Sequence, residues 1–161
     1  MRTFTIATAC TVGVGLLASA SFATPPSYTV FDLGTLNGPY TWFDPGSVAM
    51  GVARTAVVGH SISDLPGENV HAFRLIDRQL TDLGTLPGDE QSMAFTANAQ
   101  GDAIGVSYKL GEVNVHGVIW PYGGGMISLG TIEPRDINEA GAVAGSLPIA
   151  GAPGTKHAAL I

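Results

Sequence analysis

Short apolar runs closed by turn-forming residues make up most of the chain after residue 27. Two of them, His71–Ile76 and His116–Trp120, have the five- or six-residue length that is typical of β-strands. Every window of a dozen residues in this region is broken by Gly, Pro or Asn before the i, i+3, i+4 spacing of a helix develops. The pattern therefore predicts an all-β fold.

Three sequence markers recur in a fixed order. The phrase Asp-Leu-Gly-Thr-Leu occupies residues 32–36 and 82–86, and it returns as Ser-Leu-Gly-Thr-Ile at residues 128–132. A histidine opens an apolar run three times, at His71, His116 and His157. An apolar pair is closed by a glycine three times, at Gly59, Gly105 and Gly145. The intervals of 40 to 50 residues predict an internal repeat of that length.

Each repeat is expected to contain four short strands in two hairpins. One turn begins with Asn98 or Asn138 and has Gly101 or Gly141 as its fourth residue. This spacing suits a type I turn followed by a bulge, since glycine accepts the positive φ angle. In the first repeat the segment 52–55 lacks both residues, which predicts a less regular unit. The predicted units cover residues 28–46 (partial), 47–88, 92–134 and 135–161 (partial).

Four-stranded units of this size are typical of propeller blades or of solenoid coils. After the predicted signal peptide, the chain starts with a second strand of a unit (YTVFDLGTL) and ends with a first strand (HAALI), so these two ends are complementary. This favours a propeller-like assembly of about three repeats, although propellers usually have four to eight blades. An open three-unit assembly, a six-unit ring of two copies and a piece of a longer repeat protein all remain open. Exposed terminal strands also predict self-association.

The N-terminal segment reads as a signal peptide over residues 1–23, followed by a repeat domain over residues 24–161. Arg2 precedes an uncharged apolar stretch that ends in small residues at Ser21 and Ala23. A membrane-anchoring helix is the alternative, because the stretch is close to the length of a span. We expect an exported protein, periplasmic or extracellular, whose mature chain has no membrane span. Cys10 is the single cysteine, so disulfides are not expected to stabilise the domain.

The chain is acidic, with a formal net charge of −6. Its few basic residues form no cluster, which argues against binding to nucleic acid or to anionic lipid. No cofactor is predicted.

The markers resemble the HAF repeat, a probable extracellular repeat of bacteria named for the tripeptide found here at residues 71–73. The match is best in the middle of the chain, through His71-Ala72-Phe73, the 82–86 phrase and Asn98 with Gly101. Ser128 in place of Asp and Ala159 in place of Phe depart from the pattern in the last unit. The resemblance implies export and a repeated β fold, with no established activity and no catalytic residues.

The equivalent histidines His71, His116 and His157 raise two interpretations. A closed ring could bring them together as metal ligands, but a structural role is favoured, in which each bonds the backbone or the Asp of the adjacent strand. Asp32 and Asp82 could similarly bind calcium, but an Asx turn that holds the following Gly-Thr is favoured. No metal site is therefore predicted.

Aromatic residues are candidates for contact with a carbohydrate or a surface protein. Tyr40 and Trp42 lie in an irregular insertion, where an aromatic ring can serve as an exposed platform. Tyr122 is a further candidate, whereas Trp120 ends a predicted strand and is expected in the core. Together with the three histidines, Tyr40 and Trp42 are the predicted binding residues.

The favoured function is a non-enzymatic binding or surface-interaction module, and no catalytic residue is predicted. The alternative is a secreted glycan-acting enzyme that uses loop carboxylates, drawn from Asp64, Glu68, Asp89 and Glu90. Such chemistry needs two carboxyl groups that flank one pocket. A convergent acidic pocket would favour the enzyme, and a flat or filled face would favour binding.

Overall fold

A computed structural model of the chain describes residues 26–36, 46–54, 56–64, 69–112 and 115–161. The chain divides into two units, residues 1–32 and residues 33–161. The described part of the first unit has no regular secondary structure. The predicted signal peptide, residues 1–23, lies outside the described residues.

In the described residues of the second unit, eleven strands form three antiparallel sheets. Sheet 1 contains β1 (Ser47–Val52), β2 (Val57–Ile62), β3 (Val70–Ile76) and β4 (Gln79–Asp82). Sheet 2 contains β5 (Gln91–Ala97), β6 (Ala103–Tyr108), β7 (Val115–Trp120) and β8 (Ile127–Ser128). Sheet 3 contains β9 (Glu133–Ile137), β10 (Val143–Pro148) and β11 (Lys156–Leu160). The all-β prediction is confirmed. No helix that could cross a membrane occurs in the described part of the chain.

Strands that are consecutive in the chain are neighbours in each sheet, as short turns between antiparallel strands require. The turns at Asn98 and Asn138 have the predicted form. Each asparagine carbonyl accepts a hydrogen bond from the amide of the glycine three residues later, at 3.0 Å, and Gly101 and Gly141 have positive φ angles. These two turns were predictable because their chemistry is local.

The N-terminal end differs from the prediction. No strand forms over residues 26–35, and Leu36 makes an isolated parallel bridge to Ser63. In the described residues sheet 3 has three strands with β11 at its edge, and no closure of a propeller ring is present. A single extended segment is not stable as a strand until it has a ladder partner.

The sheets pack on one another in chain order. Residues of sheets 1 and 2 form one apolar cluster, which we call seam 1–2: Val58, Ala72, Ala94, Ala97, Ala103, Val118 and Trp120. Residues of sheets 2 and 3 form a second, seam 2–3: Ile104, Ile119, Leu129, Ile137 and Val143. The first strand of sheet 2 and the first strand of sheet 3 each contact the preceding sheet. Strand β5 lies against sheet 1, and strand β9 lies against sheet 2. Strand β6 is therefore buried over nearly its whole length.

The repeated glycines have a steric cause. Each lies in the second strand of its sheet, where the pairing with the first strand shifts by one residue in a bulge. The bulge directs a carbonyl oxygen at the glycine Cα. A Cβ atom would lie 1.9 Å from Val48 O at Gly59, 1.9 Å from Met93 O at Gly105 and 2.5 Å from Glu133 O at Gly145. Only glycine fits this close approach.

Candidate functional site

The three candidate histidines occupy different environments. His71 is buried in β3, and its Nδ1 lies 2.8 Å from Asp82 Oδ2 and 3.1 Å from Oδ1 on the adjacent strand β4. Asp82 Oδ1 also accepts a hydrogen bond from Gly84 N at 2.7 Å. This is the structural arrangement that the sequence favoured: an Asp on the adjacent strand for the histidine, and an Asx turn for the aspartate.

The environment of Asp82 favours its charged form. Partial burial, the largest single effect, raises the pKa of this carboxyl group. The hydrogen bonds from His71 and from Gly84 N, with the charge of His71, together outweigh it, so the pKa lies below its ordinary value. The pair therefore joins β3 to β4 through a hydrogen bond to a carboxylate whose charged form is favoured.

His116 has a different partner, because the residue that corresponds to Asp82 is Ser128. Its Nδ1 lies 3.1 Å from Asp89 Oδ2, in the loop before β5, and the side chain of Asp89 is only 7% exposed. His157 is exposed on β11. Among the described residues, no three His, Cys, Asp or Glu side chains are grouped closely enough to hold a metal ion.

The candidate loop acids do not converge in the described structure. Asp64 is exposed, Asp89 pairs with His116, and the Glu90 carboxylate accepts the Leu110 amide at 3.4 Å. Glu68 lies outside the described residues, as do the predicted platform residues Tyr40 and Trp42. Two of these acids thus serve to hold loops.

The two remaining aromatic candidates have opposite surroundings. Trp120 is 1% exposed in seam 1–2, as its place at the end of a strand predicted. Tyr122, two residues further on, is 58% exposed. Of these two rings, Tyr122 is therefore the one that a ligand can reach.

Tyr122 forms one wall of a pocket of about 220 Å³ between sheet 1 and the turn that follows β7. The other lining residues come from β3, β4 and the hairpin between them: Arg74, Ile76, Asp77, Gln79 and Thr81. The hairpin turn is the two-residue pair Asp77-Arg78, with φ angles of 49° and 66°. Positive φ at both positions is the geometry of a tight I′ hairpin, which usually takes Asn-Gly. Asp is also common at the first of these positions, but Arg78 is not the residue that turn geometry alone would select at the second.

Arg74 joins the two sides of the pocket. Its Nη1 donates to three backbone carbonyls of sheet 2 and its turns: Gly101 O at 3.0 Å, Trp120 O at 3.3 Å and Pro121 O at 3.3 Å. Partial burial, the largest effect, lowers the pKa of Arg74, while Tyr122 and Asp102 oppose the shift. The guanidinium remains a cation at neutral pH.

The ring of Tyr122 is held in place from two directions. Its backbone amide donates to Asp102 Oδ1 at 2.8 Å. The Arg74 guanidinium carbon lies 5.4 Å from the ring centroid, within range of a cation–π contact. An exposed aromatic ring is thereby fixed beside a cation, a carboxylate, an amide and a hydroxyl group. Such a wall can stack against a flat apolar face and can hydrogen-bond to polar groups at its rim.

Sequence reasoning named Tyr122 but missed Arg74. A signal was present, since the strands that begin with His116 and His157 have Ile119 and Leu160 at the position that Arg74 occupies after His71. A charge at an otherwise apolar strand position needs a polar partner or a function. The partner carbonyls belong to another sheet, which the sequence alone could not supply.

No protein-family model, no curated protein and no solved structure matches this chain. Membership of the HAF repeat family therefore stays a prediction.

Proposed function

We propose that the protein is an exported, non-enzymatic binding module with a propeller-like arrangement of repeats, and that it binds a carbohydrate at the Tyr122 pocket. The signal-like N-terminus supports export, and the four-stranded sheets packed in chain order support the propeller-like arrangement. The HAF resemblance supports both expectations without adding an activity.

One observation carries the ligand assignment. The exposed ring of Tyr122 stands beside Arg74, Asp77, Gln79 and Thr81, which together offer donors and acceptors around an aromatic face. A volume of about 220 Å³ is below the range of pockets for drug-sized ligands, so it suits a single sugar unit. The open shape would admit one residue at the end of a longer chain.

The test is a titration of the purified protein with three sugars: galactose, N-acetylglucosamine and glucuronic acid. Two-dimensional NMR should show shifts confined to residues around Tyr122 for at least one of them at millimolar concentration. Tyr122→Ala should weaken that binding by at least about tenfold, because it removes the stacking face. Tyr122→Phe, which keeps the ring, should bind within a few-fold of the native protein.

Two controls make the result specific. Leu110→Ala changes a side chain that is 70% exposed on another loop, and it should leave binding unchanged. Inorganic phosphate tests whether Arg74 acts as a simple anion site. Shifts with phosphate alone, or no shift with any sugar, would contradict the carbohydrate assignment.

The glycan-acting enzyme has less support. Asp77 is the single carboxylate among the pocket residues, whereas two-carboxylate hydrolysis needs a second acid across the bond. If the pocket only binds, incubation with an oligosaccharide should release no new reducing ends, in the native protein and in Asp77→Asn alike. Release of reducing ends by the native protein that Asp77→Asn abolishes would establish the enzyme instead.

A further inference from the structure

The last residue of the first strand is buried in sheets 2 and 3 but exposed in sheet 1. Ala97 ends β5 and is 8% exposed in seam 1–2, and Ile137 ends β9 and is 6% exposed in seam 2–3. Both pair with the first residue of the following strand, as Val52 does at the end of β1. Val52 is 78% exposed. It has the position and the apolar character of a seam residue, but in the described part of the chain no preceding sheet covers it.

The opposite end of the chain shows the matching gap. Ile119, three residues after His116, contributes to seam 2–3 by packing against the cluster of Ile104, Ile137 and Val143. The corresponding residue after His157 is Leu160, which is 78% exposed on the edge strand β11. Among the described residues, no sheet precedes sheet 1 and no sheet follows sheet 3.

We propose that sheet 3 of one copy packs against sheet 1 of a second copy, so that copies associate head to tail through a third seam. Val52 of the second copy would take the role of Ile137, and Leu160 of the first copy the role of Ile119. The interface continues the internal stacking in the same direction and needs no new type of contact. It uses different surfaces on the two copies, so it forms either a closed ring or an open chain.

The position of Leu36 supports this geometry. Leu36 N donates to Ser61 Oγ of β2 at 3.0 Å, and Leu86 N donates to Ser107 Oγ of β6 at the same distance. At seam 1–2, β4, the last strand of the preceding sheet, ends four residues before Leu86. By this equivalence, residues 29–32 of the second copy would lie beside β11 of the first. They would supply the fourth strand that sheet 3 lacks.

Charges at the turns agree with the same register. At seam 2–3 the Glu139 carboxylate reaches back to sheet 2 and accepts Ala99 N at 3.1 and 3.2 Å. Ala99 and Glu139 each lie two residues after the end of the first strand, and Arg54 has this place in sheet 1. At the third seam, exposed Arg54 of the second copy would therefore face exposed Glu139 of the first. Opposite charges at this contact favour the proposed pairing over its reverse.

Cysteine cross-linking and light scattering test the proposal. Both use the full chain, expressed and purified in the form that the cell produces. In a Cys10→Ser background, which contains no other cysteine, Val52→Cys and Leu160→Cys are made singly and together. Under mild oxidation, a mixture of the two single variants should give a cross-linked species of twice the mass, and neither variant alone should do so. A mixture of Val52→Cys with Leu110→Cys is the matched control and should stay uncrosslinked.

Charge reversal provides a second readout. Light scattering of the native protein should show a mass that rises with concentration to at least two chains. Arg54→Glu should raise the dissociation constant by at least about tenfold, because it places a second negative charge beside Glu139 of the other copy. A mass of one chain at every concentration would overturn the proposal. A disulfide formed only within single chains of the Val52→Cys/Leu160→Cys variant would also overturn it, since each chain would then close on its own ends.

Discussion

At the scale of single residues, the glycine of the second strand shows how a backbone requirement becomes a sequence marker. In all three sheets a bulge brings a carbonyl oxygen of the first strand against this glycine. The sequence displays the glycine but hides the reason, because the bulge lies on the other strand of the pair. The marker could be predicted as a repeat, and its steric cause could not.

Gly105→Ala should therefore be strongly destabilising. Its Cβ would lie 1.9 Å from Met93 O and 2.8 Å from the Cα of Ala94, so the two strands would have to separate. We expect a loss of about 3 kcal/mol or more in the free energy of unfolding, measured by urea denaturation. Gly123→Ala is the control, because nothing lies within 4 Å of its Cβ position and its φ angle is not positive. Equal urea midpoints for the two variants would contradict the steric explanation.

The residue that follows the histidine differs between two of the sheets: it is Ala72 in sheet 1 and Gly117 in sheet 2. Ala72 N donates to Ser92 Oγ at 2.8 Å, and Ser92 Oγ donates to Gly84 O at 2.7 Å. In sheet 2 the equivalent amide, Gly117 N, donates directly to Gly130 O at 2.8 Å. A Cβ at Gly117 would lie 2.2 Å from Ile132 O, which explains why the Ala of the first motif is Gly in the second. The substitution follows from the shorter link between β8 and β9.

At the scale of strands and hairpins, the hydrogen bond between His71 and the Asp82 carboxylate makes the joining of β3 and β4 depend on pH. Because the pKa of Asp82 is lowered in the folded chain, its contribution is fully present above the unfolded value, near pH 4. The contribution is lost as the pH falls through the lower, folded value. The side chain is 37% exposed, so solvent screening limits the effect to about 1 kcal/mol or less.

Asp82→Asn should thus be less stable than the native protein at pH 5 to 6, and the difference should shrink below about pH 3. Urea midpoints measured across this range check the expectation. Asp64→Asn, at an exposed carboxylate, controls for the loss of one negative charge. A stability difference between Asp82→Asn and the native protein that stays constant down to pH 2 would show that the lowered pKa does not contribute.

Contacts between residues close in the sequence could be predicted from it, whereas contacts between distant residues could not. The Asn98 and Asn138 turns were predictable because the residues that form them lie within five positions of one another. The pocket was not, because Arg74 and Tyr122 meet only when sheet 1 packs against sheet 2. Charge at an apolar strand position was the one local trace of that contact.

At the scale of the whole molecule, stacking in chain order makes the three sheets unequal. Sheet 2 is covered on both sides, and β6 is its buried central strand. Sheet 3 is covered on one side and ends at β11, whose edge carries exposed Leu160. Sheet 3 should therefore open more readily than sheet 2, since opening costs least where the fewest apolar contacts are lost.

Hydrogen exchange can test both the lower stability of sheet 3 and the proposed third seam. Directly after β11, Ile161 and Val143 each donate an amide hydrogen bond to the carbonyl of the other. In the antiparallel pairing of β10 with β11, the amides of Ala158 and Leu160 therefore point away from β10. At low protein concentration these two amides should exchange fastest in the sheet, and β6 amides slowest. As concentration rises, Ala158 and Leu160 should become protected by the incoming strand, while the inward amide of Ala159 changes little. A loss of flexibility throughout sheet 3 would slow the exchange of all three amides together. Protection confined to Ala158 and Leu160 therefore identifies the addition of a strand at this edge. Unchanged exchange of these two amides at all concentrations would contradict strand addition.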